Sequence, residues 1–244
     1  MKGYIPICIV AYAAQTQAVE IMASLTQITT SGAYSPEKIF EWTKDPATNF
    51  KVPGSITPLG QRQQYYIGDE MRERYVNDAK FLPFSYDIAT QYLQSKYNCR
   101  ASISLEAQMV GLYPPATSNL KLTEWQQGHA LPPLDTSSVA EWVKGLGENA
   151  LEHGFTPFPI NMEGLADDRL LSLSSDNCPL YKDTVAKVRA SAAFQVIDKS
   201  FADFYVALQN LTGESNVNYD SAQLICEYLT AANLHNKELK FTVD

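Results

Sequence analysis

Ile56-Thr57-Pro58-Leu59-Gly60-Gln61-Arg62-Gln63-Gln64-Tyr65, running on through Ile67-Gly68 to Arg72-Glu73-Arg74-Tyr75, begins with a helix-start signature. Thr57 stands where a side-chain oxygen caps the first turn, and Pro58 holds the first helical position, where its missing N–H is no loss. Leu59, Gln63, Ile67, Met71 and Tyr75 fall four apart and predict the inward stripe, with Arg72, Glu73 and Arg74 turned elsewhere. Gly68 in mid-helix costs about 1 kcal/mol against alanine, so close packing by another element is expected there. Upstream, Val19, Ile21, Ala23 and Leu25 alternate with Glu20, Met22, Ser24 and Thr26, which predicts a strand over Val19 to Ile28. It runs into the loop Thr29-Thr30-Ser31-Gly32-Ala33-Tyr34-Ser35-Pro36. Downstream, Asp87 to Gln94 reads as a second strand through Ile88, Tyr92 and Leu93. Arg100 to Gly111 reads as a second helix, closed by Gly111 and Pro114-Pro115. Strand, helix, strand, helix implies an α/β sheet with helices packed on it.

Farther out, Ala116 to Pro159 is punctuated by Pro, Gly and Ser around Trp125 and Trp142. Cys178 to Leu211 reads as a long helical stretch with an apolar face of Tyr181, Val185, Val188, Ala192, Ile197, Phe201, Phe204 and Leu208, expected to be core. Another helix is expected over Ser221 to Leu234, and Leu239 to Val243 begins a strand. Of 244 residues, 45% are hydrophobic and 19% charged, an ordinary globular composition. The net charge of -8 argues against nucleic-acid binding, which needs a concentrated basic surface. No apolar run is long enough for a transmembrane helix.

Met1-Lys2, the apolar stretch Tyr4 to Ala14 and the small residue Ala18 together read as a signal peptide over residues 1–18, implying the secretory pathway, lysosomal or extracellular. A first buried strand or an uncleaved anchor are the alternatives. Beyond Cys8 stand Cys99, Cys178 and Cys226, an odd number for an exported chain, so one thiol is free or pairs elsewhere. No Cys/His cluster predicts a metal site, and no metal or organic cofactor is expected. Asn210-Leu211-Thr212 is a glycosylation acceptor triplet.

Three stretches together resemble the histidine acid phosphatase family, branch 2 of the histidine phosphatase superfamily. Ile56 through Tyr75 is similar to its Leu-Thr-x-x-Gly-x-x-Gln helix, which follows the catalytic loop. Ser95 through Arg100, continuing to Ser104, Ala107 and Gly111-Leu112-Tyr113-Pro114-Pro115, is similar to its Ser-Thr-x-x-x-Arg-Thr segment and closing Gly-Leu-Phe-Pro. Pro157-Phe158-Pro159-Ile160 through Asp168-Arg169-Leu170-Leu171 to Asn177-Cys178-Pro179 keeps the family's order and spacing. The resemblance implies a mixed sheet flanked by helices with an inserted, mainly helical cap. The expected layout is one domain over 19–244, with the core in 19–115 and 220–244 and the cap in 116–219. It also implies phosphomonoester hydrolysis without a cofactor. In the family, the first strand ends in Arg-His-Gly-x-Arg-x-Pro, whose histidine attacks phosphorus while the arginines hold its oxygens. A third arginine completes that cradle, and a late His-Asp pair supplies a phosphate ligand and the acid for the leaving group.

Against that pattern the loop keeps Gly32 and Pro36 at the family's spacing but carries Thr30 for the first arginine, Ser31 for the nucleophile and Tyr34 for the second arginine. A serine hydroxyl needs a neighbouring base, and His129, His153 and His235 fall in no recognisable catalytic motif. Arg100 alone matches a phosphate-binding position. It reads either as a surviving anion ligand, with weak affinity for a small phosphorylated ligand, or as a helix-start arginine that is paired with a nearby acid or simply solvated. Lys240-Phe241-Thr242-Val243-Asp244 resembles the strand that delivers the His-Asp pair, and the sequence stops there. The expectation is therefore a pseudophosphatase with a binding or assembly role and a sheet incomplete at its C-terminal side, whose edge a partner protein could cover. An active acid phosphatase, or a fragment of one, and a gene remnant without a stable product are the other two readings.

Overall fold

The alternating pattern at Val19 to Ile28 does form a strand, and the Thr57-Pro58 signature does start a helix. The computed structural model describes residues 8–16, 19–43, 50–130, 145–172 and 178–239. Its elements are β1 (Cys8–Thr16), β2 (Val19–Ile28), α1 (Pro58–Met71), a π-helical segment (Arg72–Asp78), β3 (Gln94–Ser95), α2 (Cys99–Leu112) and α3 (Glu124–His129). A 3-10 turn (Glu152–Gly154), β4 (Asn161–Met162), α4 (Pro179–Ala190), α5 (Ala192–Ser200), α6 (Ala202–Thr212) and α7 (Tyr219–Leu234) follow. The fold is mixed α/β, with helices predominating among the described residues. The chain divides into one unit of Met1–Ser31, Arg62–Gln94 and Ser104–Asn161, and another of Gly32–Gln61, Ser95–Ile103 and Met162–Asp244.

In the first unit β1 and β2 pair antiparallel, with Cys8 opposite Ile28 and Thr16 opposite Val19. The close approach expected at Gly68 is present. A Cβ there would stand 1.8 Å from the Gln108 carbonyl oxygen, and one at Gly111 would stand 2.1 Å from the Tyr65 oxygen. α1 and α2 thus touch backbone to backbone through two facing glycines, a separation no side chain can share. Around this contact lie Val76, Met109, Leu112 and Tyr113, with Tyr86 edge-on to both Tyr113 and Phe158. Burial pushes the Tyr113 hydroxyl up to about 12. Arg72 Nη1 donates to the Leu112 carbonyl at 2.9 Å, satisfying an end carbonyl of α2.

The second unit is built on α7. Asn218 caps it, its Oδ1 accepting from the backbone N–H groups of Asp220 and Ser221. Its inner face carries Ala222, Ile225, Tyr228, Ala231 and Ala232. Tyr228 is wholly buried, and the rings of Phe40, Trp42 and Phe50 meet it edge-on at 5.8, 5.1 and 5.8 Å. Such edge-to-face pairs add to the large apolar area each ring removes from water. Asp168 is buried within its own turn, its Oδ1 accepting from Leu171 N–H at 2.7 Å and Leu170 N–H at 3.1 Å. The Leu171 N–H, chief among these bonds, holds the carboxyl below the usual aspartate range.

The structure departs from the sequence reading in three stretches. The buried line of α1 runs through Gly60, Gln64 and Gly68, while Leu59 is exposed. Glycine and a hydrogen-bonded glutamine mark the tight face, and the π-helical segment then shifts the period so that Tyr75 and Val76 turn inward. Asp87 to Gln94 is not a strand: Asp87 Oδ1 accepts from Ala89 N–H and its carbonyl from Thr90 N–H, a side-chain-stabilised turn, and only Gln94–Ser95 is extended. The stretch from Cys178 to Leu211 is three helices. Ser191 leaves helical geometry at ψ 149 and caps α5 by accepting from Phe194 N–H, and Phe201 separates α5 from α6. Its expected core face is largely exposed, including Tyr181, Val188, Ile197, Phe201 and Phe204, and only Leu208 is buried. Of the expected last strand, Leu239 bridges Thr43, and 240–244 lie outside the described residues, as does Trp142. Of the expected leader, residues 1–7 and 17–18 lie outside them too, while Cys8–Thr16 is β1.

Candidate functional site

Thr57 organises the site because its hydroxyl joins the loop after β2 to the start of α1. It accepts from Gly60 N–H at 3.2 Å, the cap expected from the sequence, and donates to the Ala33 carbonyl at 3.0 Å. The Thr57 N–H donates to the same carbonyl at 3.0 Å. Gly32 and Gly60 let the two backbones meet: a Cβ on Gly32 would stand 2.2 Å from the Gly60 oxygen, and one on Gly60 would stand 2.1 Å from the Ala33 oxygen. The loop after β2 is therefore fastened to the first turn of α1 by main chain. Buried Ser35 fixes it on the other side. Its N–H donates to the Ser55 carbonyl at 2.8 Å, and its hydroxyl donates to the Val52 carbonyl while accepting from Ser55 N–H.

Two of the four residues singled out from the sequence come together on this loop. Arg100, in the first turn of α2, lays its guanidinium carbon 3.8 Å from the centre of the Tyr34 ring. Its Nη1 donates to Glu37 Oε1 at 2.7 Å and to the Gly54 carbonyl at 3.4 Å. The Arg100 side chain is only 20% exposed, against 56% for Glu37. Tyr34 bridges Ile56 through its backbone, and its hydroxyl hydrogen-bonds the Glu227 carboxylate of α7. Burial first, then the charge of Glu227, pushes that hydroxyl above the usual tyrosine range, outweighing the opposite pull of Arg100. Thr30 and Ser31 belong to the first unit, where the buried Gln64 amide donates to the Thr30 carbonyl at 3.0 Å.

The structure adds three residues that the motif reading passed over: Glu37, Glu227 and His235. Nothing in their neighbourhoods marks them, since their partners are 63 or more positions away. His235 closes α7 and sets its Nε2 3.5 Å from the Thr57 hydroxyl, with Phe50 edge-on to its ring at 5.7 Å. Burial, helped by Lys237, holds its pKa below the ordinary value of 6.5. His129, stacked on Trp125, and His153, beside Glu152, are exposed side chains of the first unit.

His235 gives the second unit a pH dependence of definite sign. The folded state favours its neutral ring, so between the lowered pKa and about 6.5 the unfolded chain binds more protons. This contribution is intact above pH 6.5 and is lost as the pH falls through that window. The urea midpoint of the His235→Gln variant should therefore fall less between pH 7.5 and 5 than that of the wild type. Equal losses in the two proteins would show that the ring titrates as if in water.

The profile of the Histidine phosphatase superfamily (branch 2) matches residues 12–237. Lysosomal acid phosphatase of Rattus norvegicus is 27% identical over 207 residues, covering 84% of this chain and 41% of the relative. That of Xenopus laevis is 26% identical over 186 residues, covering 76% and 36%. Prostatic acid phosphatase of Homo sapiens is 26% identical over 160 residues, covering 66% and 33%. The chain thus spans about two fifths or less of the length of these relatives. With the profile matched over most of its length, this chain belongs to the histidine phosphatase superfamily, branch 2.

Proposed function

We propose that this chain keeps the histidine phosphatase scaffold without phosphomonoesterase activity and acts by binding or assembly. The observation that carries the reading is the state of Arg100. The one side chain matched to the phosphate cradle is already stacked on Tyr34 and bonded to Glu37. Tyr34 itself stands where the resemblance calls for a second arginine, so a guanidinium fork is replaced by a neutral ring. Ser31 stands where the resemblance calls for the nucleophilic histidine, and a hydroxyl without an adjoining base attacks phosphorus poorly. The lysosomal relatives support placing the protein in the secretory pathway. Among the described residues, no helix is long and apolar enough to cross a membrane.

A second reading, an acid phosphatase, is favoured by the names of those same relatives. Assaying the purified chain with p-nitrophenyl phosphate from pH 4 to 7, beside Arg100→Ala prepared identically, separates the two. No turnover above buffer is expected from either protein. Turnover by the wild type that disappears in Arg100→Ala would establish the second reading.

A further inference from the structure

The loop after β2 meets Arg100 with a carboxylate as well as a ring. Tyr34 and Glu37 lie three residues apart on a segment that Ser35 fastens to residues 52–55 at its middle. Gly54 makes room for the carboxylate: with φ at +68°, a Cβ there would stand 2.6 Å from Glu37 Oε2. The Glu37 headgroup therefore rests in a seat built by the backbone, against a guanidinium that is four-fifths covered. An ordinary surface ion pair joins two mobile, solvated side chains and contributes little. Here the loop is braced and the cation is largely withdrawn from water, so the charge on Arg100 requires an anionic partner.

A carboxylate and a phosphate or sulfate both offer a guanidinium negatively charged acceptor oxygens. We propose that Glu37 is the built-in occupant of an oxyanion site centred on Arg100, holding the position that a phosphate or sulfate oxygen would otherwise take. Tyr34 covers the guanidinium face, and Gly54 sets the carboxylate's depth. Glu37 is then the residue that decides whether this loop binds an external oxyanion. The inference rests on the reading of Arg100 as an anion-binding arginine, but not on whether the chain turns over a phosphate ester.

The test is calorimetric titration of inorganic phosphate into the wild type, Glu37→Gln and the double variant Glu37→Gln/Arg100→Ala. Glutamine keeps the shape and removes the charge. Affinity for phosphate should rise about tenfold or more in Glu37→Gln and return to the wild-type level in the double variant. No gain in Glu37→Gln, or a gain that survives loss of Arg100, would overturn the proposal. Should Glu37→Gln fail to fold, the wild type provides its own test. Its Arg100 Nε–H resonance should stay put during a phosphate titration, and a saturable shift would show the site open. Turnover of p-nitrophenyl phosphate by the wild type would refute the functional proposal alone, so the two failures are distinguishable.

Discussion

Gly68→Val is expected to unfold the first unit. The α1–α2 contact leaves no room for a side chain: a Cβ at residue 68 falls 1.8 Å from the Gln108 oxygen and 2.8 Å from the Leu112 nitrogen. Both obstacles are backbone, so neither can rotate away. Accommodating valine means prising two helices apart along a line that also includes Gly111 against Tyr65. Overpacking a core costs 1–3 kcal/mol where side chains can adjust, and a main-chain collision belongs at or above the upper end, about 3 kcal/mol or more. The loss should appear as a lower denaturation midpoint with disappearance of the near-ultraviolet signal of Tyr75, Tyr86 and Tyr113. A Gly68→Val protein as stable as the wild type would mean that the helices pack farther apart than described.

Tyr228→Ala should destabilise the second unit by about 4 kcal/mol, the range for removing a fully buried ring. Three aromatic rings converge on it edge-on, from a loop segment (Phe40, Trp42) and from Phe50, and Ile225 and Ala232 are wholly buried on the same helix. Alanine would leave a cavity bordered by rings that cannot all collapse into it. Tyr228→Phe, which keeps the ring, should lose far less. Equal losses from the two substitutions would place the stabilisation in the hydroxyl and not in the aromatic cluster.

The elements that were legible in the sequence are those with local chemistry at their ends. Thr57-Pro58 starts α1, Pro114-Pro115 follow the end of α2, and alternating side chains form β2, because each signal acts within a few residues. Gly68 was legible as a point of close approach because a mid-helix glycine needs a reason. Its partner, Gln108, was not, being 40 positions on. The breaks at Ser191 and Phe201 escaped notice because the apolar periodicity of Tyr181 to Leu208 continues across both. A serine that caps the following helix carries no glycine or proline to announce itself.

The site divided along the same line. Thr30, Ser31, Tyr34 and Arg100 are singled out by the resemblance to the family's motifs, whereas Glu37, Glu227 and His235 enter only through long-range packing. For Arg100 the sequence leaves open a surviving anion ligand, a helix-start arginine paired with a nearby acid, and a simply solvated side chain. In the structure Arg100 Nη1 donates to Glu37 Oε1 at 2.7 Å, and the arginine side chain is four-fifths covered. Neither the acid nor the ring on the other side of the guanidinium could be named beforehand, since both depend on how residues 32–37 turn against residues 54–60.

The proposed absence of phosphoryl transfer is best examined by looking for the covalent intermediate. The purified protein is mixed with a phosphate monoester, quenched within milliseconds in denaturant, and weighed intact by mass spectrometry. An unmodified chain is expected at every pH between 4 and 7. A phosphorylated chain, at Ser31 or at any histidine, would contradict it.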